Sequence, residues 1–519
     1  MLLFKNIISL NTRESIYNLS SQNYVSTIFE NSNNFSSFGN CKKSRKNLCY
    51  KKKDSQLKVV TNIVEAITME DEKEIIIAQK ANNGIGIVEF FEGKNILVTG
   101  ATGFLAKALI EKMLRTTPKV NKIYLLIRAK DKEAAFHRLK TEIMESELFK
   151  YLEEMHGESY KLFIQNKLVP IVGNMYEPNL GMDIVTAQQI AQEIDLIVDS
   201  AAVTTFDERY DLALDANVNG PYQLMIFAKK CENLKLLMHY STAYANGERE
   251  GIVLEKPFTM GESITKEKIT SISPFTSFPL LDANNEMDFV SKLKNNNGLE
   301  QIMKYLGIER TIDPLIFFYR KGDLPCLLGD PNCLVDLVPV DMVVNATMTA
   351  MAKHGYLQNP ELNVYHVASS SQNPISLSHM FNYSYDFFQL FPFVNSKGDK
   401  IETQKMRFFD KMSDFENYIW QVLLKQHQVQ DEKDLTKFQI RFIKKKVEYL
   451  KNFIKLYQPY LTYKGWFDNG NVRKLMEDMS EEEKRNFEID MTKINWRNYF
   501  ENTHIPGVLK YVLEGKRVN

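Results

Sequence analysis

The stretch Lys94–Leu114, KNILVTGATGFLAKALIEKML, constrains the fold more than any other in the chain. It opens with a short apolar run, Asn95 to Thr99, that reads as a buried parallel strand. A tight turn follows, with Gly100 and Gly103 around Ala101 and Thr102. Phe104, Leu105, Ala108, Leu109 and Leu114 then recur at helical spacing. Strand, glycine turn and helix in that order are the context a dinucleotide-binding fingerprint requires. Gly100 can take positive φ for the turn, Gly103 lets the backbone approach a pyrophosphate, and Ala106 is small enough for close helix–strand packing. The free N–H groups of the helix's first turn, with its dipole, would hold phosphates. Thr99, Gly100, Thr102, Gly103, Phe104 and Leu105 are therefore candidate cofactor-binding residues. The bland alternative is an ordinary strand-to-helix turn, which does not require this order, spacing and flanking pattern together.

Further strands follow at intervals suited to a doubly wound sheet. Lys122–Ile127, KIYLLI, ends in Arg128, with Lys130 close behind. About 20 residues past the glycine turn, an NAD-binding fold would offer an acid to the ribose 2′-hydroxyl. This chain offers cations, which suit a 2′-phosphate, so NADPH is the expected cofactor and Arg128 a contact to it. Leu168–Val172 ends at Gly173-Asn174, where Asn174 would meet the adenine edge. Asp195–Val198 runs into the small pair Ala201-Ala202, which would let backbone lie against the cofactor. A helix from about Tyr210 carries Asn217 and Gly220, and Leu234–Tyr240 delivers Ser241 and Thr242 at its carboxyl end. Strands alternating with helices imply a Rossmann-type α/β doubly wound parallel sheet, with chemistry at the strand ends.

Lysine plus arginine balances aspartate plus glutamate, 65 against 65, so no global field points to nucleic acid. Five scattered cysteines lack metal-ligand spacing and fit a reduced compartment without zinc. No apolar run is long enough to span a bilayer. Residues 1–62 are rich in Ser and Asn; Glu14 and Glu30 are the only acids before Asp54, and Lys42, Lys43, Arg45, Lys46 and Lys51 to Lys53 form a basic cluster. That composition suits an organelle transit peptide or a disordered tail, and it is kept outside the fold, with 63–88 as linker. Composition does not separate plastid from mitochondrion. A plastid is the expected destination, beside the cytoplasm or a reticulum surface as alternatives.

VTGATGFLAK, SAAVTTFDERYDLALDANVNGP and HYSTAYANGEREG resemble the extended short-chain dehydrogenase/reductase superfamily, and within it the plant alcohol-forming fatty acyl-CoA reductases of the male-sterility type. VDLVPVDMVVNATMTAMAKHG (335–355), NVYHVASS (363–370) and INWRNYFENTHIPGVLKYVLEGK (494–516) carry the resemblance beyond the Rossmann half. It implies an NADPH-binding domain over 89–257, an insert over 258–312, the remainder of the reductase domain over 313–375 and a helical C-terminal domain over 376–519. The patch Phe275 to Leu281 in the insert would be a lid on the acyl chain, or part of a solvent-facing elaboration. Such reductases pass hydride from NADPH to the thioester carbonyl of a long-chain acyl-CoA, expel CoA thiolate, and reduce the bound aldehyde to a primary alcohol. Thr242, with Ser241 beside it, matches the family's donor to the carbonyl oxygen. Asn217 matches a helix asparagine that supports the proton relay. Capping or local backbone bonding is the other use of such residues.

The family's proton donor is a tyrosine four residues before a lysine on a helix, where one turn aligns the two and the ammonium lowers the phenol's pKa. The reductase half lacks that pair: Tyr244 is followed by Glu248, Tyr305 by Glu309 and Tyr319 by Asp323, and farther on Tyr449 by Phe453. MKYLGIERTI (303–312) resembles the segment before the catalytic helix and DPLIFFYRKGDL (313–324) one well beyond it, with Tyr319 aligned to a non-catalytic tyrosine. The join at Ile312–Asp313 thus removes the helix and the strand after it, and a smaller contraction follows Met380. Asp199 and Val203 replace two asparagines usual around SAA; the acid is expected near the nucleotide, with the amides' hydrogen bonds lost. A positioned general acid contributes about 10²–10⁴ in rate, so the product is expected to be severely impaired or inactive. The alternatives are a non-catalytic nucleotide-binding remnant, a misassembled gene product, or a sugar-nucleotide epimerase or flavonoid reductase, which the long C-terminal domain disfavours.

In that domain Leu435, Phe438, Phe442, Ile443, Val447, Leu450 and Ile454 recur at helical spacing over Asp434 to Tyr457, opposite Lys437, Arg441, Lys444, Lys445, Lys451 and Lys455. Such a helix can lie on an anionic membrane, meet CoA phosphates, or present a solvated face over a core. Ser480 with Glu483 reads as a capping box. His504 reads as a structural turn residue, without a metal-ligand partner.

Overall fold

The computed structural model describes residues 5–11, 84–204, 209–259, 313–357, 361–395, 398–426 and 435–514, with isolated positions between 261 and 290. The lid patch 275–281, the stretch 303–312 before the join, and the leader apart from 5–11 lie outside the described residues. In chain order the elements are β1 (Lys5–Asn11), β2 (Asn95–Thr99), α1 (Phe104–Thr116), β3 (Lys122–Ile127), α2 (Lys132–Arg138), β4 (Leu168–Val172), α3 (Ile184–Glu193) and β5 (Leu196–Asp199). Next come α4 (Tyr210–Leu214), α5 (Gly220–Ala228), β6 (Leu236–Ser241), β7 (Gly251–Val253), α6 (Asp313–Arg320), α7 (Val340–Leu357) and β8 (Leu362–Val367). The C-terminal part adds α8 (Leu377–Leu390), α9 (Met412–Gln426), α10 (Lys437–Leu461), β9 (Gly465–Phe467) and α11 (Glu481–Asn486).

The main sheet runs β8-β1-β6-β5-β2-β3-β4. Its five strands β4, β3, β2, β5 and β6 are parallel, in the order of a doubly wound fold. They are apolar runs because both faces are covered. Ile96 and Val98 meet α1 and α7 on one side; Leu97, Ile197 and Leu237 meet α3 and α5 on the other. α1 buries Leu105, Leu109, Ile110, Met113 and Leu114, and truncating a buried leucine of this kind costs about 2–5 kcal/mol. After β3, α2 ends at Arg138, a wider turn spans Leu139–Met144, and helix resumes at Lys150–His156.

Two segments expected outside the fold are built into it. Residues 5–11 form β1, antiparallel to both β6 and β8, with Ile8 opposite His239 on one side and Val364 on the other. The physical reason is pairing. Without a strand between them, β6 and β8 would each present a row of unsatisfied backbone groups. The end of the expected linker is docked as well, with Ile85 and Ile87 buried. The Glu483 carboxylate accepts N–H bonds from Ile85, Gly86 and Ile87 at 2.9, 2.7 and 3.0 Å. Ser480 and Glu483 also form the expected capping box of α11.

A second core gathers α6, α8, α9, α10 and β9 around Phe381, Phe388, Phe415, Ile443, Phe453 and Tyr457. α10 begins at a capping box between Thr436 and Gln439. Its buried stripe is Ile443, Leu450, Phe453, Ile454, Tyr457 and Leu461. Phe438 and Phe442, expected in that stripe, are exposed. β9 pairs with β7 in parallel, so the two parts share a seam. Across it Glu255 accepts from the N–H of His366 at 2.7 Å and of Asn471 at 2.6 Å.

Candidate active site

The glycine turn has the geometry its sequence suggests. Gly100 sits at φ 64°, and a Cβ there would lie 2.7 Å from the backbone N and Cα of Ala201. Gly103 donates to the Gly100 carbonyl at 2.9 Å; a Cβ on Gly103 would meet only that oxygen, at 3.1 Å. No side chain caps α1 and no acid occupies its first turn. The turn therefore leaves room and N–H donors for an anionic pyrophosphate. Phe104 is half exposed at the helix start, while Leu105 is buried.

Beneath the turn, Thr99, Asp199 and His239 stand in register on β2, β5 and β6. The Thr99 hydroxyl donates to Asp199 Oδ1 at 2.6 Å and accepts from the N–H groups of Ser200 and Ala201, both at 3.1 Å. Asp199 Oδ2 lies 2.7 Å from His239 Nδ1. The acid expected near the nucleotide thus stands on the strand beside the glycine turn, with its side chain engaged within the sheet. Asp199 is buried within the sheet, and its hydrogen-bonding capacity is used by Thr99 and His239. A local scan of the sequence misses His239, because only strand register brings it to Asp199.

At the end of β3, Arg128 is exposed, and its carbonyl accepts from Arg138 Nη1 at 2.9 Å. Arg138 Nη2 also approaches the Thr102 hydroxyl at 3.4 Å, and its Nε pairs with Glu142 at 2.6 Å. Arg138 is a second cation at the glycine turn that the sequence reading missed; its place at the end of α2, the helix that follows β3, was the available signal. The Asn174 amide is engaged within its own loop, donating from the backbone to Leu180 O at 2.7 Å and from Nδ2 to Glu177 at 2.7 Å. Ala201 is half-buried and Ala202 exposed. Asn217 accepts from Val203 N–H at 2.9 Å and donates to Val203 O at 3.0 Å, so it fixes the loop that follows β5.

Ser241 ends β6, and the Thr242 hydroxyl accepts from the N–H of Tyr244 at 3.3 Å as a cap. Tyr244 is a poor proton donor. Burial and then the nearby Asp336 hold its phenol well above the ordinary value, the opposite of what an activated tyrosine requires. One tyrosine outside the reductase half does have a lysine four residues on, Tyr460 with Lys464, and the sequence reading passed over it. α10 ends at Leu461, so the two share no helical turn; Lys464 is exposed and pairs with Glu250 at 3.4 Å. The Tyr460 ring lies edge-on to that of Tyr244, with centroids 5.0 Å apart. Tyr319 donates its hydroxyl to Gln404 O at 2.7 Å. His504 is buried with Nε2 3.1 Å from Asp313 Oδ1, not aligned as a hydrogen bond. Among the described residues no cluster of three His, Cys, Asp or Glu is arranged to hold a metal ion.

Two sequence families described as male sterility protein match this chain, over residues 98–305 and 435–515. A protein described as fatty acyl-CoA reductase 2, chloroplastic, from Arabidopsis thaliana is 41% identical over 501 residues, covering 83% of this chain and 80% of the relative. The alcohol-forming fatty acyl-CoA reductase of Simmondsia chinensis is 34% identical over 490 residues, covering 82% and 99%. Among solved structures, the reductase domain of a nonribosomal peptide synthetase from Mycobacterium tuberculosis overlaps 82% of this chain and 92% of its own, with TM-score 0.49 and 19% identity.

Proposed function

The chain belongs to the male sterility family of alcohol-forming fatty acyl-CoA reductases, and from that membership we propose that it binds NADPH and a long-chain acyl-CoA whose product is a primary fatty alcohol. The observation that carries this reading is the carboxyl end of the sheet. There the glycine turn after β2, the small pair after β5 and Ser241-Thr242 after β6 stand on neighbouring strands, where doubly wound folds bind ligands. A reduced nicotinamide dinucleotide held there supplies hydride.

The chain's own residues divide the remaining work. The backbone of Gly100 to Leu105, with Thr102, receives the phosphates, and Arg128 with Arg138 meets a 2′-phosphate. Asn174, Ala201 and Ala202 line the nucleotide, and Asn217 keeps the 201–203 loop in place. The Thr242 hydroxyl, with Ser241 beside it, donates to the carbonyl oxygen as negative charge builds there.

Proton delivery is the weak point. Alignment with the Arabidopsis relative runs over 501 positions but draws on 83% of this chain, roughly 430 residues, so about 70 positions of the relative have no counterpart here. That supports the reading that the tyrosine–lysine helix is missing at Ile312–Asp313. The purified full chain is expected to retain NADPH by fluorescence titration while reducing acyl-CoA at least ~100-fold more slowly than a variant with the missing segment restored. Failure to retain NADPH sinks the cofactor reading; turnover equal to the restored variant sinks the impairment. A nucleotide-binding remnant is the second reading, favoured by the same missing pair, and binding without any turnover would select it.

The basic, acid-poor leader and the chloroplastic description of the Arabidopsis relative support a plastid address. Uptake of the full chain by isolated chloroplasts tests it, and exclusion from them would count against it. Peripheral contact with a membrane belongs to the same reading, because acyl-CoA is an amphiphile and a long-chain alcohol leaves water for lipid.

A further inference from the structure

We propose that α10 is the surface that docks this protein on an anionic lipid bilayer, with Phe438, Phe442 and Tyr449 entering the headgroup layer and the cations beside them meeting lipid phosphates. The proposal deepens the acyl-CoA reading, which supplies its purpose, but its test needs no turnover.

The face of α10 turned to solvent is not the plain charged face that usually covers a core. Phe438 is 78% exposed, Tyr449 55% and Phe442 49%. At 100° per residue these three fall on one narrow stripe with Lys445. On one flank of that stripe lie the buried residues Phe453, Leu450 and Ile443. On the other lie Arg441, Lys437, Lys455 and Lys444, all exposed. Aromatics bordered by cations are the arrangement of helices that lie in a membrane interface.

The cations are also available. Lys446 and Lys451, on other sides of the helix, are tied to Asp323 at 2.9 Å and Glu416 at 2.8 Å. Lys437, Arg441, Lys444, Lys445 and Lys455 make no ion pair among the described residues. The exposed face has one acid, Glu448, 3.8 Å from Lys451. From Lys437 to Lys455 the cations are spread over about 27 Å of helix. A planar array of phosphates matches that spread, whereas the phosphates of a single CoA would be met at one point.

The direction of the helix gives the contact a use. Its far end carries Tyr460, packed on Tyr244, two residues beyond Thr242. One continuous helix, capped at Thr436 and carrying Pro459 in its last turn, thus runs from the exposed aromatics to the neighbourhood of the end of β6.

The test uses the full chain with vesicles of phosphatidylcholine alone and with about one third phosphatidylglycerol. Each cation near an anionic surface is worth about fivefold in affinity. Sedimentation with the anionic vesicles only is expected, weakening as salt shortens the screening length. Arg441→Gln/Lys444→Gln/Lys445→Gln should lower vesicle affinity about 100-fold, and Phe438→Ser/Tyr449→Ser at least ~10-fold. Unchanged thermal midpoints would show that these surface variants still fold, and the salt dependence of the unaltered chain reads the same property without any substitution. Equal binding to neutral vesicles, no binding to anionic ones, or variants that bind like the unaltered chain would overturn the proposal. So would cations that bind free CoA while vesicles stay unbound. NADPH retention, measured separately, reports on the reductase reading alone.

Discussion

Asp199 and His239 meet across neighbouring strands with 2.7 Å between Oδ2 and Nδ1, and the other oxygen of Asp199 takes a 2.6 Å hydrogen bond from Thr99. Thr99 in turn accepts the N–H groups of Ser200 and Ala201. A single buried carboxylate thereby fixes the two strand ends that flank the glycine turn.

Removing that carboxylate should be costly. Asp199→Ala leaves the buried Thr99 hydroxyl without its acceptor and the half-buried His239 ring without its partner. A loss of about 2–4 kcal/mol is expected in denaturant unfolding. Asp199→Asn keeps an oxygen for Thr99 and should cost less than half as much. Equal losses for the two substitutions would argue against this account of the network.

Arg138 offers a sharper test of cofactor choice than Arg128 alone. Its guanidinium joins the end of β3 to Thr102, and a planar fork suits a phosphate. Arg128→Gln/Arg138→Gln should weaken NADPH about 10–100-fold, with NADH binding little changed. Parallel loss of both cofactors in calorimetric titration would mean that the arginines support the turn without selecting the phosphate.

Glu255 makes the seam between the two parts sensitive to pH. Burial raises its carboxyl from 4.5 to about 8, against the pull of the Asn471 and His366 N–H groups. Below about 4.5 the group is protonated in both folded and unfolded chains, so its contribution to stability is whole. As pH rises toward 8 the unfolded chain ionises first, and stability falls by an amount on the order of a few kcal/mol. Glu255→Gln should flatten the fall of unfolding free energy between pH 5 and pH 8. An unchanged slope would place the titrating group elsewhere.

What the sequence made legible was local. Asn95–Thr99, the glycines and the helix after them are specified by neighbours a few residues away, and the observed bounds agree with them. β5 and β6 each start and end one or two residues later than the apolar runs suggest, because pairing decides where a strand stops. Asp199–His239 and Arg138–Thr102 join residues 40 and 36 apart, a distance over which composition carries no register. Phe438 and Phe442 were misplaced for a different reason. Periodicity counts every aromatic on the apolar side as core, and it does not distinguish a core from an interface with lipid. The docked end of the linker was hidden because its anchor, Glu483, lies about 400 positions away in the chain.

β1 sets the amino terminus two incompatible tasks. A stretch that serves as an address is threaded through a translocon unfolded and then cut away, whereas Lys5–Asn11 is zipped on both sides into the sheet, one strand in from its edge. A precursor folded this way would resist import, and a trimmed chain would carry an open seam between β6 and β8, inviting a strand from another molecule. Comparing the aggregation and melting of the full chain with one lacking its first dozen residues separates the two fates; identical behaviour would mean that the zipper contributes nothing.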